Sequence, residues 1–161
     1  MRRLWINATK CSGCRICQLV CSQRWTGDGF NSRMSAIQVK VVDLLKADVP
    51  VVCMQCKRAP CEIECPTGAI RREAVTGVLR IVEQECIGCG ACARACPFGA
   101  IILHPQRVAP IKCDLCEGKP LCADHCPTGA LVLRPEVTIG DEKRQEYATK
   151  RYGAGEGRQG S

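Results

Sequence analysis

The chain has 161 residues, a formal charge of +7 and sixteen cysteines, but only two each of tryptophan, tyrosine and phenylalanine. That length suits one domain or two very small ones. So few aromatics argue against a conventional apolar core and for stabilisation by disulfides or metal sites. No stretch approaches the roughly 18 apolar residues of a membrane span, and Met1-Arg2-Arg3 leads into a mixed segment without the apolar run of a signal. The expected setting is a soluble, reducing cytoplasm, where disulfides are rare.

Residues 3–8 read as a short strand leading into Cys11, Cys14, Cys17 and Cys21, spaced C-x2-C-x2-C-x3-C, with Ser22 next. A loop is expected over 22–35, rich in Gly, Asp, Asn and Ser. A half-buried strand follows over 36–42, then a connector over 43–50. The second motif is Cys53, Cys56, Cys61 and Cys65-Pro66, its middle gap widened by Lys57 to Pro60, and a turn is expected at Thr76-Gly77. A strand over 78–83 enters the most regular motif, Cys86-Ile87-Gly88-Cys89-Gly90-Ala91-Cys92-Ala93-Arg94-Ala95-Cys96-Pro97. Gly88 and Gly90 are placed to turn its loop, and its fourth cysteine is expected at the start of a short helix. The fourth motif is Cys113, Cys116, Cys122 and Cys126-Pro127, again widened in the middle. Gly-Ala-Ile or Gly-Ala-Leu follows three of the four motifs, an internal repeat of strand, cysteine loop, short helix and strand. Residues 141–151 read as a charged, exposed helix with Asp141 as N-cap, and 153–161 as a solvated Gly-rich tail.

C-x2-C-x2-C-x3-C-P is the spacing that holds a cubane iron–sulfur cluster in bacterial ferredoxins, the fourth cysteine serving the neighbouring cluster. Zinc is the main rival, but it favours two C-x2-C pairs separated by a dozen or more residues. The rivalry is closest at the second and fourth motifs, whose gaps are widened. Disulfides would be badly crowded at these spacings. His104 and His125 read as surface or supporting groups, since four quartets use every cysteine, and Trp5, Trp25 and Phe98 read as core. Each four-thiolate cubane carries about −2 when oxidised, so four of them bring the holoprotein to about −1. The arginines and lysines then serve mainly as counter-charges; scattered without an aromatic platform, they give no case for nucleic-acid binding. No G-x4-G-K-[ST] loop is present, and nothing supplies a nucleotide loop between a strand and a helix, a general base or a substrate pocket.

With these motifs in this order, residues 3–133 resemble the four-cluster ferredoxin subunits of molybdenum and tungsten oxidoreductases, some hydrogenases and carbon monoxide dehydrogenases. In its shortness the chain is most similar to the small iron–sulfur subunit of tungsten aldehyde oxidoreductases. The resemblance implies an α+β fold of tandem or nested two-cluster ferredoxin-like modules, with short strands and helices around four [4Fe–4S] clusters. The outer module would take residues 1–45 and 104–136, the inner one 46–103, with 137–161 as charged helix and tail. Carried over residue by residue, Cys11, Cys14, Cys17 and Cys126 hold one cluster, and Cys21, Cys113, Cys116 and Cys122 its neighbour. Cys53, Cys56, Cys61 and Cys96 hold the third, and Cys65, Cys86, Cys89 and Cys92 the fourth. The implied role is electron transfer, with no active site of its own. It would run between a large tungsten- or molybdenum-cofactor catalytic subunit and a flavin-containing NAD-reducing subunit or soluble carrier. Further copies arranged head-to-tail are a second expected partner. The alternatives are a free polyferredoxin, the ferredoxin subunit of a hydrogenase, carbon monoxide dehydrogenase or formate dehydrogenase, and a zinc-stabilised structural protein.

Overall fold

The structure, a computed structural model, describes residues 2–152. The chain opens with strand β1 (Arg2–Ile6), shorter and earlier than the expected 3–8, because Asn7 caps a 3-10 turn over Ala8–Lys10 by accepting from the Thr9 amide. Helix α1 (Ile16–Thr26) starts after Arg15, which takes a left-handed φ of 59°, and stops at Gly27. It therefore runs into the expected 22–35 loop. The reason is Ser22: the other three motifs place proline directly after the last cysteine, where it breaks the backbone ladder, and serine here keeps its N–H. Ser22 is buried, donates its hydroxyl to the Leu19 carbonyl at 2.7 Å, and accepts from the Asn31 amide at 3.1 Å. The remainder of the insertion is thereby stitched onto the helix.

Strands β2 (Ile37–Val42) and β3 (Ala47–Val52) form an antiparallel hairpin in which Val39 faces Pro50. The second half of the expected connector over 43–50 is thus strand, after a 3-10 turn over Asp43–Leu45. Pro50 disguises it, yet in a two-stranded ribbon every strand is an edge and tolerates a missing donor. Helix α2 (Pro60–Ile63) begins on proline, as first turns allow, and leads to the antiparallel pair β4 (Ile70–Arg72) and β5 (Leu79–Ile81). Helix α3 (Ala91–Ala95) carries Cys92 within it and ends on Cys96 as its C-cap. The fourth cysteine of this motif therefore leaves from a helix end and not, as expected, from its start, because Pro97 stops the turn there. Two-residue strands β6 (Ile101–Ile102) and β7 (Ile111–Lys112) pair antiparallel, and helix α4 (Leu121–Asp124) precedes β8 (Leu131–Pro135). Strand β8 returns to β1 in antiparallel register, with Leu4 opposite Leu133.

The four ladders are thus β1–β8, β2–β3, β4–β5 and β6–β7. The strand that closes each repeat pairs with the strand that opens the next, and the last closes on the first. Two of these ribbons, β2–β3 and β6–β7, cross the expected boundaries near 45 and 103. Helix α5 (Glu136–Tyr152) lies against β8 and β1, where Lys143 sits over the Trp5 ring at 5.1 Å. It starts five residues before the expected N-cap, so Asp141 lies inside it; the expected tail 153–161 falls outside the described residues.

Two apolar cores fill the interior. The first gathers Leu4, Met34, Ile37, Val39, Val52, Ile111, Leu115 and Leu131 with Cys17, Cys21, Cys113 and Cys122. The second is smaller, built on Ala59, Ile70, Leu79 and Ile101 with Cys61 and Cys92. Trp5 and Trp25 are half-buried, whereas Phe98 is 48 % exposed and is not core.

Candidate metal centres

All sixteen cysteines are free thiols, and folding brings cysteines from distant parts of the chain near one another. Burial pushes the Cys17 thiol up to about 11 against the pull of the Gln18 amide, and its charged neighbours are Cys11, Cys14 and Cys126. Cys126 arrives from the far end of the chain because β8 is laid on β1, the Asn7 amide donating to the Ala130 carbonyl at 2.8 Å. Cys122 is raised by burial and then by Cys21, Cys116 and Cys17. Cys113, buried, is raised by that burial and then by Cys53, Cys122 and Cys21.

The other two groups surround small apolar hollows. One is lined by Cys53, Cys56, Cys61 and Cys96 with Ala59, Leu79 and Ile101. The second is lined by Cys65, Cys86, Cys89 and Cys92 with Ile70 and Ile81. Burial pushes Cys61 up to about 11, with Lys112 opposing and Cys53 and Cys96 adding to the rise. Cys92 is raised by burial, with contributions from Cys86, Cys65 and Cys89. Gly88 and Gly90 both take φ of 71°, and a Cβ at Gly88 would meet the Val108 carbonyl oxygen at 3.0 Å. The loop between Cys86 and Cys92 therefore depends on glycine for both its turn and its packing.

Backbone amides aim at the sulfurs. The Gln55 amide donates to Cys53 Sγ and the Ala100 amide to Cys96 Sγ, each at 3.4 Å. The repeated Cys-Pro-Thr-Gly-Ala loops go further. At Cys65, burial is outweighed by donation from the amides of Ile70, Thr67 and Ala69 and from the Thr67 hydroxyl, which lies 3.7 Å from the sulfur, so the thiol is lowered. Cys126 is lowered in the same way by Leu131, Thr128 and Ala130, with the Thr128 hydroxyl also at 3.7 Å. Cys96 has Phe98 where those loops have threonine. The fourth motif takes a different form: Leu115, Cys116 and Glu117 all adopt left-handed backbone, at φ of 58°, 47° and 58°. Such residues persist only where their surroundings hold them. Here the Asp114 carboxylate accepts from the Cys116 amide at 2.9 Å, and Arg24 on α1 pairs with Asp114 at 3.0 Å and Glu117 at 3.1 Å.

Thiols so arranged suit an iron–sulfur core. Buried thiolates without a cationic partner are costly, and the amides and hydroxyls are placed to donate to thiolate sulfur. A single zinc ion would need its ligands within about 2.3 Å of one point. Among the described residues, no three His, Cys, Asp or Glu side chains converge closely enough to hold one ion. His125 is exposed, its Nδ1 3.0 Å from the Leu121 carbonyl, and His104 accepts from the Gln106 amide, so neither histidine joins a thiol group. Sequence reasoning missed Gln55, Lys112, the two threonine hydroxyls and the Arg24 clamp. Of these, only the threonines had a visible signal, their recurrence two residues after a motif's last cysteine.

Short strands and helices arranged around grouped thiols define an iron–sulfur protein of ferredoxin type. The chain belongs to the family of 4Fe-4S dicluster domains, whose model matches residues 46–136. It is 38% identical over 121 residues to the polyferredoxin-like subunit of an aliphatic sulfonate oxidoreductase of Pyrococcus furiosus, covering 73% of this chain and 68% of that one. It is 33% identical over 129 residues to the electron transport protein HydN of Escherichia coli, covering 68% of this chain and 73% of the relative. Among solved structures, it aligns with a chain of the active site complex BamBC of benzoyl coenzyme A reductase at a TM-score of 0.50 and 26% identity, covering 96% of this chain and 92% of the other. The chain is thus an iron–sulfur electron-transfer protein, and its sixteen cysteines fit four [4Fe–4S] clusters. Among the described residues, no helix is long and apolar enough to cross a membrane.

Proposed function

We propose that the chain is the electron-transfer subunit of a larger oxidoreductase, connecting a tungsten- or molybdenum-cofactor catalytic subunit to a flavin subunit or soluble carrier. In this reading Cys11, Cys14, Cys17 and Cys126 hold the first cluster, and Cys21, Cys113, Cys116 and Cys122 the second. Cys53, Cys56, Cys61 and Cys96 hold the third, and Cys65, Cys86, Cys89 and Cys92 the fourth. When bound, each cluster supplies one-electron chemistry with little change of shape.

One observation carries the proposal. The exposed cysteines are Cys14 and Cys89, one in the first group and one in the fourth, while the second and third groups have none. The groups also adjoin in that order: Cys122 lies near Cys17, Cys113 lies near Cys53, and cysteines of the third and fourth groups share the second apolar core. Open ends and a closed middle suit a chain with a partner at each end. The residues of this chain bind, exclude water from the inner groups through Ile111, Leu115 and Leu79, and direct amides at sulfur. The nested division into modules follows the thiols and not the strand pairing. Relatives named as subunits of oxidoreductases support a partnered role over a free polyferredoxin.

Anaerobic purification from native cells tests the assignment. The expected result is a brown complex in which this chain accompanies a larger subunit containing tungsten or molybdenum. Recovery of a free, fully loaded monomer as the only species favours the shuttle; a larger partner without either metal removes the cofactor assignment.

A further inference from the structure

Between the two cores lies a buried junction. Gln55, 1 % exposed, donates its side-chain amide to the Cys113 carbonyl at 2.8 Å and accepts from the Leu79 amide at 2.8 Å. Lys112, 2 % exposed, crosses the same gap and donates its ammonium to the carbonyl oxygens of Leu79 and of Cys113, the latter at 3.2 Å. Two carbonyls take two of its three N–H donors but carry no net charge, and a buried ammonium without a counter-charge is strongly disfavoured.

No carboxylate forms an ion pair with Lys112 among the described residues. The acids lining the adjoining cleft are each taken by arginine: Glu73 by Arg80 at 3.3 Å, Glu83 by Arg107 at 2.5 Å, and Asp114 and Glu117 by Arg24. What does lie beyond the junction is a thiol group. Leu79, whose carbonyl Lys112 holds, lines the hollow enclosed by Cys53, Cys56, Cys61 and Cys96. The charge of Lys112 acts on Cys61, opposing the effect of burial there.

We propose that Lys112 is the built-in counter-cation of the cluster held by Cys53, Cys56, Cys61 and Cys96, stabilising its reduced form over its oxidised form. The proposal rests on the cluster assignment above. Accepting one electron adds one negative charge to that site. A fixed ammonium in a low-dielectric junction favours that charge without any proton being taken up. The third group is thereby set at a higher potential than its apolar lining alone would give, and Gln55 holds the backbone that positions the lysine's acceptors.

The test is a mediated redox titration of the anaerobic, full-length holoprotein with dithionite, followed by electron paramagnetic resonance, for wild type, Lys112→Gln and Lys112→Arg. Iron is counted in each. Lys112→Gln is expected to keep its iron and to move one midpoint to more negative potential, leaving the others in place. The moving signal should be the one altered by Cys96→Ser, and Lys112→Arg should keep it near the wild-type position. A fully loaded Lys112→Gln protein with all midpoints unmoved overturns the proposal, as does an equal shift in Lys112→Arg. If Lys112→Gln loses iron while Lys112→Arg retains it, charge is what the site requires, and the proposal stands. If both lose iron, the lysine is a packing element and the proposal falls. A wild-type protein short of iron removes the cluster reading itself, and with it this one; a full wild-type count with unmoved potentials removes only this one.

Discussion

The regions around the two apolar cores solve the same problem with different amounts of protein. Around the first core stand an eleven-residue helix, a six-residue hairpin and the five-residue β1–β8 ribbon. Around the second, the strands are two or three residues long and the helices four or five. The first has a framework that secondary structure can hold by itself; the second is loops wrapped around thiols. The lesson is that ligand spacing, which both regions share, demands very little regular structure, and the surplus in the first region belongs to the Ser22 insertion, the β2–β3 hairpin that follows it and the chain ends.

The largest expected effect follows directly. Stripping iron with a chelator under reducing conditions should abolish amide-exchange protection over 53–103, while β2–β3 and β1–β8 keep part of theirs, because metal binding and folding are coupled where the site supplies the core. Simultaneous loss everywhere would erase the distinction between the regions.

Single-ligand substitutions should remove or convert one cluster signal out of four. Cys21→Ser is expected to disturb the same signal as Cys116→Ser and a different one from Cys14→Ser, because the proposed grouping puts Cys21 and Cys116 on the second cluster and Cys14 on the first. If Cys21 and Cys14 substitutions affect one and the same signal, the grouping across the chain is wrong.

Core truncations should separate the regions by readout. Ile37→Ala, at a fully buried site of the first core, should cost about 2–5 kcal/mol measured by denaturant unfolding of the holoprotein. Ile70→Ala, lining the hollow of Cys65, Cys86, Cys89 and Cys92, should appear first as faster iron loss. Similar iron retention in the two variants would contradict the division.

The smaller effects lie at the surface. Arg24→Ala frees the left-handed turn of the fourth motif from a partly exposed ion pair, for which about 0.2–1 kcal/mol is expected, seen as a modest rise in the oxygen sensitivity of one cluster. Deleting 137–161 should leave iron content intact and weaken association with a partner or with further copies. A truncated chain that assembles and supports turnover like the full one would leave α5 only its packing role on β1 and β8.

The iron–sulfur character of the chain was legible because a cysteine motif is local: the spacing places three candidate ligands on one loop. The fourth ligand of each group depends on chain return, which a resemblance supplied and spacing did not. Strand β3 was hidden by Pro50, whose missing donor matters only when a strand has neighbours on both sides. The extension of α1 was hidden because Gly27, Asp28 and Gly29 are loop residues, and they mask the five residues of helix that Ser22 permits where proline is absent. Phe98 reads as core from its residue type alone, but it lies half in solvent beside Cys96. Lys112 and Gln55 were invisible because their roles come from where Leu79 lands, a tertiary fact with no signature in either residue's neighbours.

The central claim is that four thiol groups hold four cubanes, and anaerobic metal and sulfide analysis of the purified chain tests it most directly. The expected result is about sixteen iron and about sixteen acid-labile sulfide per chain, with a brown colour and no zinc. Eight iron or fewer, with zinc making up the remainder in protein never exposed to air, would contradict it.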